Sequence, residues 1–97
     1  MAEQARIDKW LWHARFCRSR QRAQAVAGSG LIRLNGTRVE KPGTCVRPGD
    51  ILTLPHGRDV VAVRIEALAE RRRGAAEARK LYRIVGEGLL DPAPAPS

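Results

Sequence analysis

Between Ala5 and Ala27 the chain holds neither glycine nor proline, and the apolar residues Ile7, Trp10, Leu11 and Ala14 recur at i, i+3, i+4 and i+7. That spacing places them on one face of a helix. The stripe is interrupted by Arg18-Ser19-Arg20-Gln21-Arg22 and resumes as Ala23, Val26 and Ala27 before Gly28. Ser19 can cap a helix, since its hydroxyl accepts from a free amide of the following turn, and Gly28 suits the position just past a helix end. Two helices are therefore expected, over about 6–16 and 19–27, rather than one.

From Gly30 the period changes to two. Leu31-Ile32-Arg33-Leu34 runs into Asn35-Gly36, whose tolerance of positive φ is what a type I′ hairpin turn requires, and Thr37-Arg38-Val39 forms the return strand. Lys41-Pro42-Gly43, Arg47-Pro48-Gly49-Asp50 and Pro55-His56-Gly57-Arg58 are turn signals; short strands fall at Cys45-Val46, at Ile51 to Leu54 and at Asp59 to Ile65. Residues 66–73 follow neither period. Glu77 to Val85 reads as a helix beginning near Gly74-Ala75, with Ala78, Leu81, Tyr82 and Val85 on one face. Asp91 to Ser97 has no packing pattern and is expected to be a disordered tail. The expected architecture is α+β: two N-terminal helices on a small, mostly antiparallel sheet, with a C-terminal helix.

Ninety-seven residues allow one small domain and leave little room for a deep, walled reaction pocket, which disfavours an enzyme. Charge sharpens the picture. Residues 1–47 hold ten bases and three acids, whereas residues 48–97 hold eight bases and seven acids. Such asymmetry directs one half of the chain towards a polyanion. Fifteen of the eighteen bases are arginine, whose planar fork grips phosphate with two hydrogen bonds and stacks on bases.

No apolar run approaches the ~20 residues that span a bilayer, and Met1-Ala2-Glu3-Gln4 does not open a signal peptide. A cytoplasmic protein without membrane contact is expected. Cys17 and Cys45 make no ligand spacing with each other or with His13 and His56, so neither metal nor disulfide is expected, and both thiols are expected to be reduced and at least partly buried. No nucleophile or carboxylate stands beside either histidine at a telling spacing. No catalytic residue and no cofactor are expected.

The words Arg6-Ile7-Asp8-Lys9-Trp10-Leu11, Ser19-Arg20-Gln21-Arg22-Ala23, Leu31-Ile32-Arg33-Leu34-Asn35-Gly36 and Val46-Arg47-Pro48-Gly49-Asp50 together resemble the S4 RNA-binding domain. Its patterns are R-[LI]-D-K-x-L, S-R-x-x-A, V-x-V-N-G and V-x-x-G-D, in that order. Ile32 and Leu34 replace the usual valines, a change that packing should tolerate. The run from Asp8 to Phe16 and the later Arg71-Arg72-Arg73-Gly74-Ala75-Ala76-Glu77-Ala78, followed by Leu81-Tyr82, resemble the ribosome-associated fifteen-kilodalton heat-shock protein family. The resemblance implies an S4 domain with its sheet over 6–65, a C-terminal extension over 66–90 and the tail over 91–97. It also implies binding to ribosomal RNA of free large subunits carrying a stalled nascent chain on tRNA. Longer members continue with a charged helix where this chain ends in an acidic, Pro-rich tail.

In that family the two helices and the Asn-Gly hairpin present one positive surface. Carried over, it assigns phosphate contacts to Arg6, Lys9, Arg15, Arg18, Arg20, Arg22, Arg33 and Arg38, with counterion release supplying much of the free energy. Ser19 opens the second helix, where free amides and the helix dipole favour an anion. Asn35, with Gly36, has a geometric part, setting Arg33 and Arg38 on neighbouring strands. Asp8 reads as an ion-pair partner or first-turn acid rather than an RNA contact. Trp12 lies about 200° around the helix from Trp10 and either stacks on an unpaired base or packs against the C-terminal segment; the burial habit of tryptophan favours packing. Arg71-Arg72-Arg73 either extends the RNA surface or is solvated.

The expected protein is a monomeric RNA-binding factor that performs no covalent chemistry. Two other readings stay open: a DNA-binding helix-turn-helix protein, imitated by two short basic helices, and a detached targeting module for an RNA-modifying enzyme.

Overall fold

The computed structural model describes residues 3–56 and 59–89. Strand β1 (Ala5–Arg6) leads into α1 (Ile7–His13), and α2 (Arg20–Ala27) follows after a turn. The predicted cap is in place: Ser19 Oγ accepts from the Arg22 N–H at 3.1 Å. Helix α1 stops at His13 instead of running to residue 16, because the backbone turns left-handed at Arg15.

Strands β2 (Arg33–Leu34) and β3 (Thr37–Arg38) flank the Asn35-Gly36 turn, whose φ values of 51° and 88° are both positive, as type I′ requires. Strand β4 (Cys45–Val46) pairs with β1, placing Ala5 opposite Val46. This two-residue bridge ties the start of α1 to the far loop. Strands β5 (Ile51–His56) and β6 (Asp59–Ile65) form a six-pair antiparallel ladder; β5 continues through Pro55 and His56, where the sequence reads as turn.

The C-terminal helix is present but short. Helix α3 (Ala75–Ala78) passes into a single 3-10 turn, Arg79–Leu81, and the helix expected over Glu77 to Val85 is replaced from Tyr82 onwards by strand β7 (Tyr82–Leu89). The apolar residues at helical spacing thus belong to two elements: Ala78 and Leu81 are buried from the helical turn, Tyr82 packs from the strand, and Val85 is exposed. Strand β6 offers a free ladder edge, and Tyr82, Ile84 and Val85 favour strand, so tertiary pairing overrides local helix preference. The β6–β7 register shifts between Ala62 and Val63, leaving Val85 as the extra, bulged residue.

All described strand pairs are antiparallel, and the larger sheet has the order β3-β2-β5-β6-β7. One core joins the helices to it: Ile7, Trp10 and Leu11 from α1, Ala23 and Ala27 from α2, and Ile32, Leu52, Val63 and Ile65 from the sheet side. Trp10 anchors this core. It is fully buried, its indole N–H donates to the Ala67 carbonyl at 3.1 Å, and its ring meets Phe16 and Tyr82. Truncating such a residue to alanine costs about 3–5 kcal/mol.

Cys17 is buried, as expected, but Cys45 is exposed on the two-residue β4, where side chains alternate and Val46 takes the inward position. The tail expected over 91–97 lies outside the described residues.

Candidate nucleic-acid interface

Two turns and one helix start set out the basic side chains. Helix α1 ends in a Schellman arrangement: the Arg15 N–H reaches the Trp12 carbonyl at 3.1 Å and the Phe16 N–H reaches the Leu11 carbonyl at 3.0 Å. The residue just past the cap in this motif is usually glycine because it must be left-handed. Here it is Arg15, with φ 65°. Its side chain is exposed, and Nη1 donates to the Arg73 carbonyl at 2.8 Å. Arg18 follows, exposed. Beyond Ser19, α2 begins with half-buried Arg20, whose Nε is enclosed with no protein partner, and exposed Arg22.

Asp8 is the acid among these basic residues, and it is fully buried. Arg6 grips it with two hydrogen bonds, Nε to Oδ1 at 3.1 Å and Nη2 to Oδ2 at 2.9 Å, while the Lys9 N–H donates to Oδ1 at 2.7 Å. Burial alone would raise the carboxyl's pKa. The Arg6 bonds, the Lys9 amide and the charges of Arg6 and Arg20 outweigh it, so the group is held below its ordinary value. The ion-pair reading of Asp8 holds. Burial, reinforced by the charges of Lys9, Arg20 and Arg72, also pulls His13 below its ordinary value, against the effect of a hydrogen bond to the Ala69 backbone. His13 is therefore neutral at pH 7 and buried, a packed histidine rather than a surface base. Burial pushes the Cys17 thiol up, which suppresses its reactivity.

On the hairpin, Arg33 and Arg38 are direct cross-strand partners, both exposed. The Arg38 side chain leans back over Gly30 in the link after α2, where a Cβ would stand 3.6 Å from its Cδ. The Asn35 side chain is turned inward to the protein: Nδ2 donates to Asp50 at 3.1 Å and Oδ1 accepts from the Ile51 N–H at 2.9 Å. Asn35 fixes the hairpin, in keeping with its geometric part.

The sequence left open what the Arg71-Arg72-Arg73 run does, and the structure separates its members. Arg71 and Arg73 are exposed, but Arg72 is half-buried over the Trp12 ring, 5.6 Å from its centroid. Its Nε donates to the Trp12 carbonyl at 3.0 Å and its Nη2 to the Cys17 carbonyl at 3.4 Å. These partners lie 60 and 55 residues away along the chain, beyond the reach of any local pattern. One face of Trp12 is thus covered by the C-terminal segment.

Among the described residues the salt bridges are Arg6–Asp8, Arg64–Glu66 and Lys80–Glu77. Lys9, Arg15, Arg18, Arg20, Arg22, Arg33 and Arg38 have no carboxylate partner among them. A recess of about 370 Å³ opens beside His13, between Leu68, Arg71, Arg73, Glu77 and Lys80, and contains no pairing of nucleophile and base. Among the described residues no group of three His, Cys, Asp or Glu could hold a metal, and no helix is long and apolar enough to cross a membrane.

Residues 5–52 match the model of the S4 domain. The chain is 40% identical over 88 residues to heat shock protein 15 of Escherichia coli K12, an alignment that takes in 91% of this chain and 65% of that protein. It is 37% identical over 91 residues to the RQC P-site tRNA stabilizing factor of Listeria monocytogenes, covering 94% of this chain and 97% of the relative. The trimeric structure of Vibrio cholerae heat shock protein 15 superposes with a TM-score of 0.80 at 42% identity, over 86% of this chain and 83% of that one. Thus the chain spans just under two thirds of the Escherichia coli relative and nearly all of the Listeria one.

Proposed function

Because this chain belongs to the S4-domain family of heat shock protein 15 and the RQC P-site tRNA stabilizing factors, we propose that it binds structured ribosomal RNA on free large subunits that carry peptidyl-tRNA. It acts there by binding alone, without covalent chemistry, in the cytoplasm. The observation that carries this reading is the set of seven cations, from Lys9 to Arg38, left without carboxylate partners among the described residues. Cations without a carboxylate partner are ready to neutralise phosphate, and the counterions they release drive association. Folded RNA is read through shape, phosphate and 2′-hydroxyl contacts, which suits a surface rich in arginine.

In this reading residues 6–65 form the RNA-binding unit and residues 66–90 brace it. Arg6, Lys9, Arg15, Arg18, Arg20, Arg22, Arg33 and Arg38 contact phosphate, the amides after Ser19 receive one phosphate group, and Asn35 holds Arg33 and Arg38 in place. Trp12 packs against Arg72. The chain binds as a monomer.

Sucrose-gradient sedimentation with cell extract tests the proposal. The tagged chain should travel with free large subunits, in larger amount when peptidyl-tRNA is retained, and should leave them steeply as salt rises. Sedimentation at the top of the gradient at low salt, or preference for duplex DNA as competitor, would overturn it.

A further inference from the structure

The dipeptide Arg72-Arg73 holds the turn after α1 through three hydrogen bonds. The Arg72 guanidinium donates to the carbonyls of Trp12 and Cys17 and lies over the Trp12 ring, while the Arg73 carbonyl accepts from Arg15. The Trp12 carbonyl is also the acceptor that closes the left-handed turn at Arg15. It belongs to the C-terminal end of α1, where unpaired carbonyls and the helix dipole favour a cation. A non-glycine residue held left-handed persists when its surroundings over-determine it. The surroundings here are these contacts from the C-terminal segment.

We propose that Arg72 is a positioning residue of the RNA interface: by clamping residues 12–17 it fixes the directions in which Arg15 and Arg18 leave the surface, without itself touching RNA. The proposal rests on the RNA-binding reading, yet the clamp has a readout of its own. Two of the guanidinium's nitrogens are engaged by carbonyls and its central carbon stands over an indole, 5.6 Å from the ring centroid, so its work is internal, in contrast to exposed Arg71 and Arg73. Lysine cannot replace it, since an ammonium lacks the fork that reaches two carbonyls together.

The full chain and the variants Arg72→Lys, Arg72→Ala and Arg18→Ala are titrated onto isolated large ribosomal subunits over a range of salt, and amide exchange is followed on the free proteins. Both Arg72 variants should bind about tenfold more weakly with the wild-type salt slope, whereas Arg18→Ala should lower the slope by about one. The Arg15 and Phe16 amides should exchange faster in both Arg72 variants while those of β6 keep their protection. Arg72→Lys decides the matter if alanine unfolds the chain. Wild-type affinity in Arg72→Lys, or a slope reduced by about one with unchanged exchange at Arg15 and Phe16, makes Arg72 an ordinary phosphate contact and overturns the proposal. If the wild-type chain binds no subunit, the RNA reading fails by itself, and the clamp stands or falls on exchange at Arg15 and Phe16.

Discussion

Two turns in this molecule hold a non-glycine residue in the left-handed region, Asn35 at φ 51° and Arg15 at φ 65°, and they solve the problem differently. Asparagine tolerates that conformation, and here its side chain points back into the fold, bonded to Asp50 and Ile51. Arginine has no such affinity for it. At Arg15 the side chain is exposed with one guanidinium nitrogen donating to the Arg73 carbonyl, so the compensation comes from a distant segment. A residue that suits its backbone and binds inward is explained by folding. One that strains its backbone and keeps the rest of its guanidinium exposed calls for a further reason outside the fold.

The contrast can be tested by removing each residue. Asn35→Ala deletes two side-chain bonds and leaves alanine left-handed, so stability should fall by about 2–3 kcal/mol in urea unfolding. A loss well under 1 kcal/mol would mean that the strand pairing alone holds the hairpin. Arg15→Gly relieves the left-handed strain but deletes the exposed bond to Arg73, so stability should stay within about 1 kcal/mol of wild type, with affinity for large subunits about tenfold lower and a salt slope smaller by about one. Destabilisation with intact binding would assign Arg15 to folding and erase the distinction.

Gly36→Ala probes backbone strain free of contacts, because nothing lies within 4 Å of the position its Cβ would take. At φ 88° it should cost about 1 kcal/mol by the same unfolding assay. The smallest effect belongs to pH. His13, in the last turn before Arg15, has a folded-state pKa below its ordinary 6.5. The unfolded chain therefore takes up protons first: this contribution is complete above pH 6.5 and declines as pH falls from there towards the folded value. Thermal unfolding at pH 5.5 should show a stability lower than at pH 7.5 by under about 1 kcal/mol, and His13→Asn should remove the difference. Asp8 adds nothing to this difference, because its contribution is complete above the ordinary value of 3.8 and is lost only as pH falls below it.

Much of the fold was legible where the signal is local. The stripe of Ile7, Trp10 and Leu11, the Ser19 cap and the Asn35-Gly36 turn each state their structure within a few residues. The β1–β4 bridge was not, since two-residue strands have no period to read. Strand β7 was hidden because Ala78, Leu81, Tyr82 and Val85 imitate a helix face while belonging to different elements. The S4 motifs make the basic positions legible as candidates, and the structure adds that seven of them lack carboxylate partners among the described residues. Arg72 was illegible: nothing near it in the chain announces a partner some 60 residues away.

The buried carboxylate of Asp8 beneath a half-exposed Arg6 has a consequence for the kinetics of encounter. Seen from a distance the two opposite charges cancel, so the pair adds little to the long-range pull on a diffusing anion. At touching range the guanidinium is nearer than the hidden carboxylate, and attraction survives. Arg6 would then govern how long a complex lasts rather than how fast it forms.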